Sequence, residues 1–391
     1  PSIAVLPFDN LSEDPGQEYF SDGMTENIIT ALSKIPDMFV IARNSSFTYK
    51  GKPVKVQQVA EELGVRYVLE GSVQRSGDKV RVTAQLIDAI SGHHLWAERY
   101  DRQLADLFAV QDDIAQNIVT ALEVKLTAGE QARIWRRQTD NPEAYEYLLS
   151  GNAHLRHANK ADNAEAKRLY EKAVALDPNF ASAWLTLAVS HQIEARFGWS
   201  DDRVRSLSRA ADAVQKALAI DDARPGAYLQ LANLAINKRQ YDQAIPFCEK
   251  ALSLDPTANV MAHCGRIWTY VDRPQEALEL IREAMRQNPY FPGIYFFVLG
   301  NAHRLLGNYD EAVAAFEAFR DAIPNSALPL SILAATYAEA GRMQEARAAV
   351  KVLLTRYPES SIKSVAKILS YKDPAETERS LANLRKAGLP E

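Results

Sequence analysis

Two adjacent histidines, His93 and His94, precede Glu98 and Asp101 in the segment SGHHLWAERYD. Imidazole and carboxylate groups are the side chains that ligate metal ions or transfer protons. A β-strand is the other interpretation, because successive strand side chains point to opposite faces of a sheet. In a strand the two histidines cannot ligate one ion, and His94 and Glu98 lie about 13 Å apart. We therefore predict a strand here, and in the chain as a whole no catalytic residue and no metal site.

Other segments give no stronger sign of catalysis. Sequence motifs for a Walker-type phosphate loop, a Gly-x-Gly-x-x-Gly turn, a His-Glu-x-x-His zinc pair and a Gly-x-Ser-x-Gly nucleophile turn are absent. The segment SDGMTE, residues 21–26, could bind an anion at a helix start, but capping of that helix by Ser21 or Asp22 is favoured. We predict that this chain is not an enzyme and needs no cofactor.

Composition places the chain among soluble globular proteins of more than one domain. It has 391 residues, of which 47% are hydrophobic and 24% are charged, and its net charge is −5. The acidic balance argues against nucleic acid as a partner of the whole surface, and no apolar run is long enough for membrane insertion. Two cysteines, Cys248 and Cys264, are too few for a disulfide framework and favour the cytoplasm, with the periplasm as the alternative.

A motif recurs through the second half of the chain. Alanine is followed four residues later by a mostly large apolar residue and eight residues after that by proline, or once by aspartate. The closing residues stand at positions 178, 222, 256, 289, 324 and 358, so that the intervals are 44, 34, 33, 35 and 34 residues. A fixed period near 34 residues is typical of stacked helix pairs, in which each pair covers the apolar face of the next.

Upstream of these motifs lie matching first helices, such as Trp184-x-x-Leu187-Ala188 and Phe296-x-x-Leu299-Gly300. This pattern resembles the tetratricopeptide repeat. The resemblance implies an all-α solenoid of about six repeats over residues 143–360, followed by a C-terminal helical cap over residues 361–391.

The same resemblance points to candidate binding residues. In this family the first helix of each pair lines a concave face. The ligand-facing positions lie one, four and five residues after the small residue of that helix, which is Ala188 or Gly300 in the two examples above. These positions carry mainly amides and guanidiniums here, which can bind an extended peptide. The candidates are Asn152, Arg156, Asn233, Asn237, Arg266, Tyr270, Asn301 and Arg304. Family members that clamp a C-terminal carboxylate also carry a lysine on this helix, whereas Leu148, Leu229 and Phe297 stand here, which argues against such a clamp.

The one stretched interval contains EARFGWSDDRVRS, which includes Phe197 and Trp199. These aromatic residues either pack within a lengthened helix pair or contact a partner from a protrusion. The sequence leaves both interpretations open.

The first half predicts an α/β domain with the element order βαβαβββα over residues 1–127, joined to the repeats by a partly helical linker at residues 128–142. Parallel pairing early and hairpins late imply a mixed sheet. The segments PSIAVLPFDNLSEDPGQEYFSDGMTENIITAL, GVRYVLEGSV and GHHLWAERYDR resemble the TolB amino-terminal-like domain of bacterial signalling proteins. There it stands between a class III nucleotidyl cyclase domain, or a winged-helix domain, and tetratricopeptide repeats.

This resemblance implies a regulatory function. We expect a fragment of a longer protein, in which the α/β domain and the repeats bind a peptide or protein partner and modulate an upstream cyclase domain. The alternatives are a stand-alone adaptor or scaffold and the sensory region of a winged-helix transcriptional regulator. Class III cyclases place catalysis at a dimer interface, so the resemblance implies a homodimer through the parent protein.

Overall fold

The computed structural model describes residues 1–35, 38–124, 139–157 and 159–391. Over these ranges the chain forms two compact units, each treated separately below. The first unit consists of residues 1–227 and 287–290, and the second consists of residues 228–286 and 291–391. The predicted linker lies largely outside the described residues, since only its last four positions, 139–142, fall within them.

A mixed β-sheet forms the beginning of the first unit. Its strands within the described residues are β1 (Ser2–Val5), β2 (Asp9–Asn10), β3 (Phe39–Val40), β4 (Tyr67–Ser76), β5 (Lys79–Asp88) and β6 (His93–Gln103). The order is β3-β1-β4-β5-β6, with β2 also paired to β4. β1 runs parallel to β3 and β4, whereas β4, β5 and β6 form an antiparallel meander. The predicted mixed sheet is confirmed, and the short strand β2 is an addition to it.

Helices cover both faces of this sheet. They are α1 (Glu18–Ser33), α2 (Arg43–Ser46), α3 (Val56–Leu63) and α4 (Leu107–Ala121). One core contains Phe20 and Met24 of α1, Ile114 of α4 and the strand residue Val82, all buried. The second core contains Leu63 of α3 with residues of β1 and β4. Each large apolar side chain that is removed from water in this way contributes about 1.5–3 kcal/mol.

Helix α1 starts earlier than the sequence predicts. A short 3₁₀ turn at Pro15–Gln17 precedes it, and the Asp14 carboxylate accepts a hydrogen bond from the Gly16 N–H at 2.8 Å. Ser21 and Asp22 therefore lie inside the helix, where Asp22 binds the Lys50 ammonium at 2.6 Å. The predicted capping by Ser21 or Asp22 is wrong because the Asp-Pro pair starts the helical turn earlier, where proline lacks the N–H that a cap would have to satisfy.

A β-bulge interrupts strand β6. Trp96 pairs with Leu86 and His94 pairs with Ile87, so Leu95 is inserted without a partner. The two histidines still occupy adjacent register positions, which places them on opposite faces as predicted. Regular strand alternation would place His94 and Glu98 on one face, but the inserted residue breaks the alternation between His94 and Trp96, so His94 and Glu98 do not share a face.

Six helix pairs follow in the part of the chain that the structure describes. Their helices are α5 (Pro142–Leu155), α6 (Lys160–Leu176), α7 (Ala181–Phe197), α8 (Arg203–Ile220), α9 (Pro225–Asn237), α10 (Tyr241–Leu254), α11 (Ala258–Tyr270), α12 (Pro274–Gln287), α13 (Ile294–Leu305), α14 (Tyr309–Ala322), α15 (Ala327–Glu339) and α16 (Met343–Arg356). Glycine permits the close approach within two pairs: a Cβ atom on Gly151 would lie 2.4 Å from the Tyr170 ring, and one on Gly300 would lie 2.8 Å from the Phe316 ring. The predicted helical solenoid is confirmed.

Two further helices end the second unit, α17 (Ile362–Ala366) and α18 (Pro374–Ala387). Helix α18 packs against α15 and α16. The N–H of Ile362 donates to the carbonyl oxygen of Pro390 at 2.7 Å, which ties the end of the chain to the start of α17. No helix within the described ranges has both the length and the apolar character that crossing a bilayer would require.

Candidate protein-binding site

The predicted groove residues lie on or directly after the first helices of four pairs. Asn152 lies on α5 and Arg156 follows it, Asn233 and Asn237 lie on α9, Arg266 and Tyr270 on α11, and Asn301 and Arg304 on α13. The first two belong to the first unit and the other six to the second.

The two candidates of the first unit are engaged within that unit. Asn152 accepts a hydrogen bond from the Tyr170 hydroxyl at 2.9 Å. Arg156 lies 3.1 Å from a carboxylate oxygen of Glu26 on α1, which also pairs with Arg43. These contacts fix the start of the helix pairs against the α/β part, and a role of Asn152 and Arg156 in partner binding stays a prediction.

In the second unit, neighbouring candidates bond to one another. The Arg266 guanidinium donates to the Asn233 side-chain oxygen, which links α11 to α9. The Asn237 amide donates to the Asn233 carbonyl oxygen at 2.9 Å. The guanidinium of Arg266 also lies 5.8 Å from the centre of the Tyr270 ring. These contacts link the polar groups of α9 and α11 into one connected surface. We call this surface, together with Asn301 and Arg304 of α13, the inner face.

The loop between α17 and α18 lies on this inner face. The Tyr371 hydroxyl donates to the side-chain oxygen of Asn301 at 2.6 Å, and the Tyr371 ring meets the Tyr270 ring edge-on at 5.7 Å. The backbone N–H of Lys372 donates to the carbonyl oxygen of Tyr270 at 2.7 Å. The Lys372 ammonium lies 2.6 Å from Asp242 at the start of α10. An irregular segment of the chain is thus held by side-chain and main-chain hydrogen bonds, as a bound peptide would be.

Arg304 is the most deeply buried charge of the inner face, with 2% of its side chain exposed. One of its terminal nitrogens, Nη1, lies 3.2 Å from Glu339 on α15 and 3.3 Å from Glu376 on α18. Its guanidinium also lies 5.1 Å from the centre of the Tyr371 ring. Desolvating these charges is costly, and the pairing of one arginine with two carboxylates offsets that cost.

This cluster still has unused hydrogen-bonding capacity. The second terminal nitrogen of Arg304, Nη2, has no hydrogen-bond partner among the described residues. Glu339 is also 2% exposed, whereas Glu376 is 19% exposed. The cluster therefore keeps one buried donor nitrogen without a partner, and the more exposed of its two carboxylates is that of Glu376.

Phe197 and Trp199 form a stacked pair at the end of α7. Their ring centres are 5.1 Å apart with 23° between the ring planes, and Gly198 between them adopts a left-handed conformation. Phe197 is 59% exposed, whereas Trp199 is half-buried. The exposed face of Phe197 is compatible with partner contact, which stays a prediction.

An open cleft of about 980 Å³ lies over the sheet of the first unit. Its lining includes Glu70, Gln85, Ser72 and Thr83. Gln85 donates to Glu70, and the hydroxyl oxygens of Ser72 and Thr83 lie 2.6 Å apart. These polar groups bond to one another across neighbouring strands. The expected lack of a catalytic residue stays a prediction.

Tyr371 and Glu376 are the contacts of the inner face that the sequence did not reveal. The sequence pattern assigns their segment to a terminal cap, because the repeat motif stops at residue 358. One signal was present: an exposed connection rarely needs a large aromatic residue, and SYKDPAE places Tyr371 just upstream of Asp373, which caps α18.

Family models match two parts of the chain. Residues 1–119 match a model described as HilA/YgeH-like transcriptional regulator, second domain. Residues 225–257, 270–327 and 330–360 match tetratricopeptide-repeat models. These ranges contain α9, α10 and the helices from α12 to α16. The predicted tetratricopeptide repeats are confirmed within these three ranges.

The chain is also similar to a cyclase-type protein. It is 47% identical over 244 residues to "Putative adenylate cyclase 3" of Rhizobium meliloti (strain 1021), over 62% of this chain and 42% of that protein. The chain thus spans less than half the length of this relative. The resemblance to an adenylate cyclase-type signalling protein is confirmed at the level of sequence similarity.

The chain also matches solved structures, with low sequence identity and low TM-scores. YrrB, described as a TPR protein with an unusual peptide-binding site, is 22% identical with a TM-score of 0.34, over 49% of this chain and 93% of that chain. TolB from Acinetobacter baumannii is 20% identical with a TM-score of 0.24, over 31% of this chain and 28% of that chain.

Proposed function

We propose that this chain is a regulatory interaction region, which binds a peptide or protein partner on the inner face of its tetratricopeptide repeats. In the parent protein, this binding modulates a nucleotide cyclase domain that precedes Pro1. Tetratricopeptide repeats support the binding role, and the 47% identity to a protein named as an adenylate cyclase supports the output. A cytoplasmic location and a homodimer formed through the parent protein are parts of the same proposal.

The observation that carries the proposal is the segment already held on the inner face. Tyr371 and Glu376 fill it with an aromatic hydroxyl side chain and, five residues later, a carboxylate. A partner that uses the same contacts contains a tyrosine, which contacts Asn301 and Tyr270, and an acidic residue, which pairs with Arg304. The main-chain bond to the Tyr270 carbonyl oxygen requires an extended or irregular peptide at that point.

Because this segment is part of the chain, it competes with any partner. A tethered ligand acts at an effective concentration in the millimolar range for a short connection. A partner peptide must therefore displace the segment, and the intact chain has a weaker apparent affinity than its inner face alone. Displacement couples partner binding to the position of α17 and α18, which provides a structural change for regulation.

A peptide-binding experiment tests this proposal. The probe is a fluorescent peptide with the sequence of residues 367–380, KILSYKDPAETERS. Its binding is followed by fluorescence anisotropy against the full chain and against a release variant that carries Tyr371→Phe and Glu376→Gln. These changes remove the hydroxyl bond to Asn301 and the charge opposite Arg304, but leave the ring and the apolar contacts of α18. We expect the release variant to bind the probe at least about tenfold more tightly than the unchanged chain.

Two controls distinguish binding at the inner face from non-specific binding. Arg304→Met in the release variant should abolish the gain, and a scrambled probe of the same composition should not bind. Circular-dichroism melts check that each variant is folded. A folded release variant that binds the probe no better than the unchanged chain would contradict the proposed site.

The regulatory part needs a separate experiment on the parent protein. The full reading frame is expressed with and without the release substitutions, and cyclic-nucleotide formation is measured. A change in turnover supports coupling between the inner face and the output domain. Equal turnover, together with confirmed release in the peptide assay, would leave a binding module without control of the cyclase.

A second candidate function is the sensory region of a winged-helix transcriptional regulator. The match of residues 1–119 to the second domain of HilA/YgeH-like regulators favours it. The two candidates share the inner face and differ in the output domain. Sequencing upstream of Pro1 distinguishes them, since a cyclase domain and a DNA-binding domain are readily told apart.

A further inference from the structure

Three potential metal ligands converge at the turn between α5 and α6 in the first unit. His154 lies in the last turn of α5, His157 follows that helix, and Asp162 lies in the first turn of α6. Their nearest ligand atoms all lie within 4.8 Å of one another. This spacing, His-x-x-His-x-x-x-x-Asp, is visible in the sequence, but only the helical turn brings the carboxylate back to the two imidazoles.

Both imidazoles contact the same carboxylate through the same ring atom, Nδ1. The Nδ1 atom of His154 lies 2.6 Å from one oxygen of Asp162, and the Nδ1 atom of His157 lies 3.2 Å from the other. The two rings stand nearly perpendicular, at 83°, with their centres 6.3 Å apart. The two nitrogens thus contact different oxygens of one carboxylate.

A neighbouring amide holds the carboxylate in place. Asn159 caps α6 by accepting the N–H of Asp162 at 2.9 Å, and its side-chain nitrogen donates to Asp162 Oδ2 at 2.6 Å. Such a hydrogen bond to a ligating carboxylate is the usual outer contact of a metal site.

We propose that His154, His157 and Asp162 bind a divalent transition-metal ion of the zinc type, with water completing the coordination. Two imidazole nitrogens with one carboxylate suit Zn²⁺, Co²⁺ or Ni²⁺, whereas Mg²⁺ and Ca²⁺ take oxygen ligands. With metal–ligand bonds of about 2.0–2.1 Å, tetrahedral ligand atoms stand about 3.3 Å apart. The present Nδ1-to-oxygen distances are 2.6 and 3.2 Å, and the ligand atoms of all three residues lie within 4.8 Å of one another, so side-chain rotations would bring them to that spacing around one ion.

The exposure of the three groups also suits reversible binding. Asp162 is 23% exposed, His154 37% and His157 64%, so an ion can enter from solvent without unfolding. A bound ion would connect the end of α5 directly to the start of α6. Binding would thereby stabilise the first helix pair against thermal unfolding.

The experiment uses the full chain without a histidine tag, titrated with Zn²⁺ by isothermal calorimetry and with Co²⁺ by visible absorption. We expect one ion per chain, a Co²⁺ spectrum typical of low coordination with nitrogen ligands, and a melting temperature that rises with Zn²⁺ concentration. His157→Gln should weaken Zn²⁺ binding at least about tenfold and should fold normally, because its side chain is largely exposed. Asp162→Asn should weaken it similarly.

His94→Gln is the matched control, since His94 is exposed on β6 in the same unit. It should bind Zn²⁺ as the unchanged chain does. Equal affinities of the unchanged chain and His157→Gln, or a loss of affinity in His94→Gln alone, would overturn the proposal. So would the lack of any saturable Zn²⁺ or Co²⁺ binding by the unchanged chain.

Discussion

The contact between Gly300 and Phe316 provides the sharpest test of how these repeats pack. Both residues are buried, and a Cβ atom on Gly300 would lie 2.8 Å from two ring carbons of Phe316. Carbon atoms normally approach to about 3.5–4.0 Å, so Gly300→Ala forces the ring or the helix to move. Overpacking of this kind costs about 1–3 kcal/mol, while alanine gains about 1 kcal/mol over glycine within a helix. We expect a net loss of about 1 kcal/mol in the free energy of unfolding.

Compensation makes this prediction specific. The equivalent repeat positions combine alanine on the first helix with a smaller partner on the second: Ala188 with Val214, Ala232 with Cys248 and Ala334 with Val350. Phe316→Val alone should lose about 3 kcal/mol because it leaves a cavity. In the double variant the new methyl group partly fills that cavity without a clash. The combined loss should therefore be smaller than the sum of the single losses by about 1–2 kcal/mol.

Urea unfolding followed by circular dichroism measures the free energy of unfolding of the unchanged chain, the two single variants and the double variant. Gly265→Ala is the matched control, because the atoms nearest to its new Cβ would be Val298 Cγ1 at 3.3 Å and the Ala277 oxygen at 3.4 Å. This variant should be neutral or more stable by up to about 1 kcal/mol. Unchanged stability of Gly300→Ala together with additivity within about 0.5 kcal/mol would refute the packing argument.

Three further predictions concern buried and exposed groups of the separate units. Burial lowers the pKa of His191, and the nearby Glu194 only partly opposes this, so the folded state favours the neutral ring. The unfolded chain takes up the proton below about pH 6.5, so stability should be constant above that pH and fall as the pH decreases through it. In His191→Gln, the urea midpoint should fall less between pH 7.5 and pH 5.5 than it does in the unchanged chain. An identical fall in both would contradict this. Glu339→Gln should lose about 3 kcal/mol in urea unfolding, because it leaves the buried Arg304 with one carboxylate, and a loss under about 1 kcal/mol would show that the pair is not desolvated. Phe197→Ser should change the free energy of unfolding by less than about 0.5 kcal/mol, because the ring is 59% exposed, whereas a larger loss would assign the aromatic pair to packing.

Local pattern explains why the helix pairs could be predicted so directly. Each repeat covers the apolar face of its neighbour with small and large residues at the same positions, so a period near 34 residues predicts the architecture. The mixed sheet follows from equally local information, namely short apolar runs separated by helical spacing and then by tight turns. The helix start at Asp14-Pro15 is a local signal too, but it competes with the equally plausible Ser21 and Asp22.

Long-range contacts account for what the pattern did not show. The inner face could be assigned to the first helices, but its occupation by Tyr371 joins residues that are 70 positions apart. Burial of Arg304 likewise depends on carboxylates 35 and 72 positions away. No periodicity links such positions, because the packing of α18 on α15 and α16 is what holds the loop before α18 next to them.

The amino-acid order was thus sufficient for the two kinds of domain, the repeat register and the polar character of the inner face, since each depends on residues within one helix pair or one sheet. Tertiary structure alone decided which of those polar groups are covered by the chain itself, how the inserted Leu95 turns His94 away from Glu98, and that His154, His157 and Asp162 meet at one point. The physical reason is the same in each case. Hydrogen bonds and ion pairs act over a few ångströms, and only the packed chain sets distances on that scale.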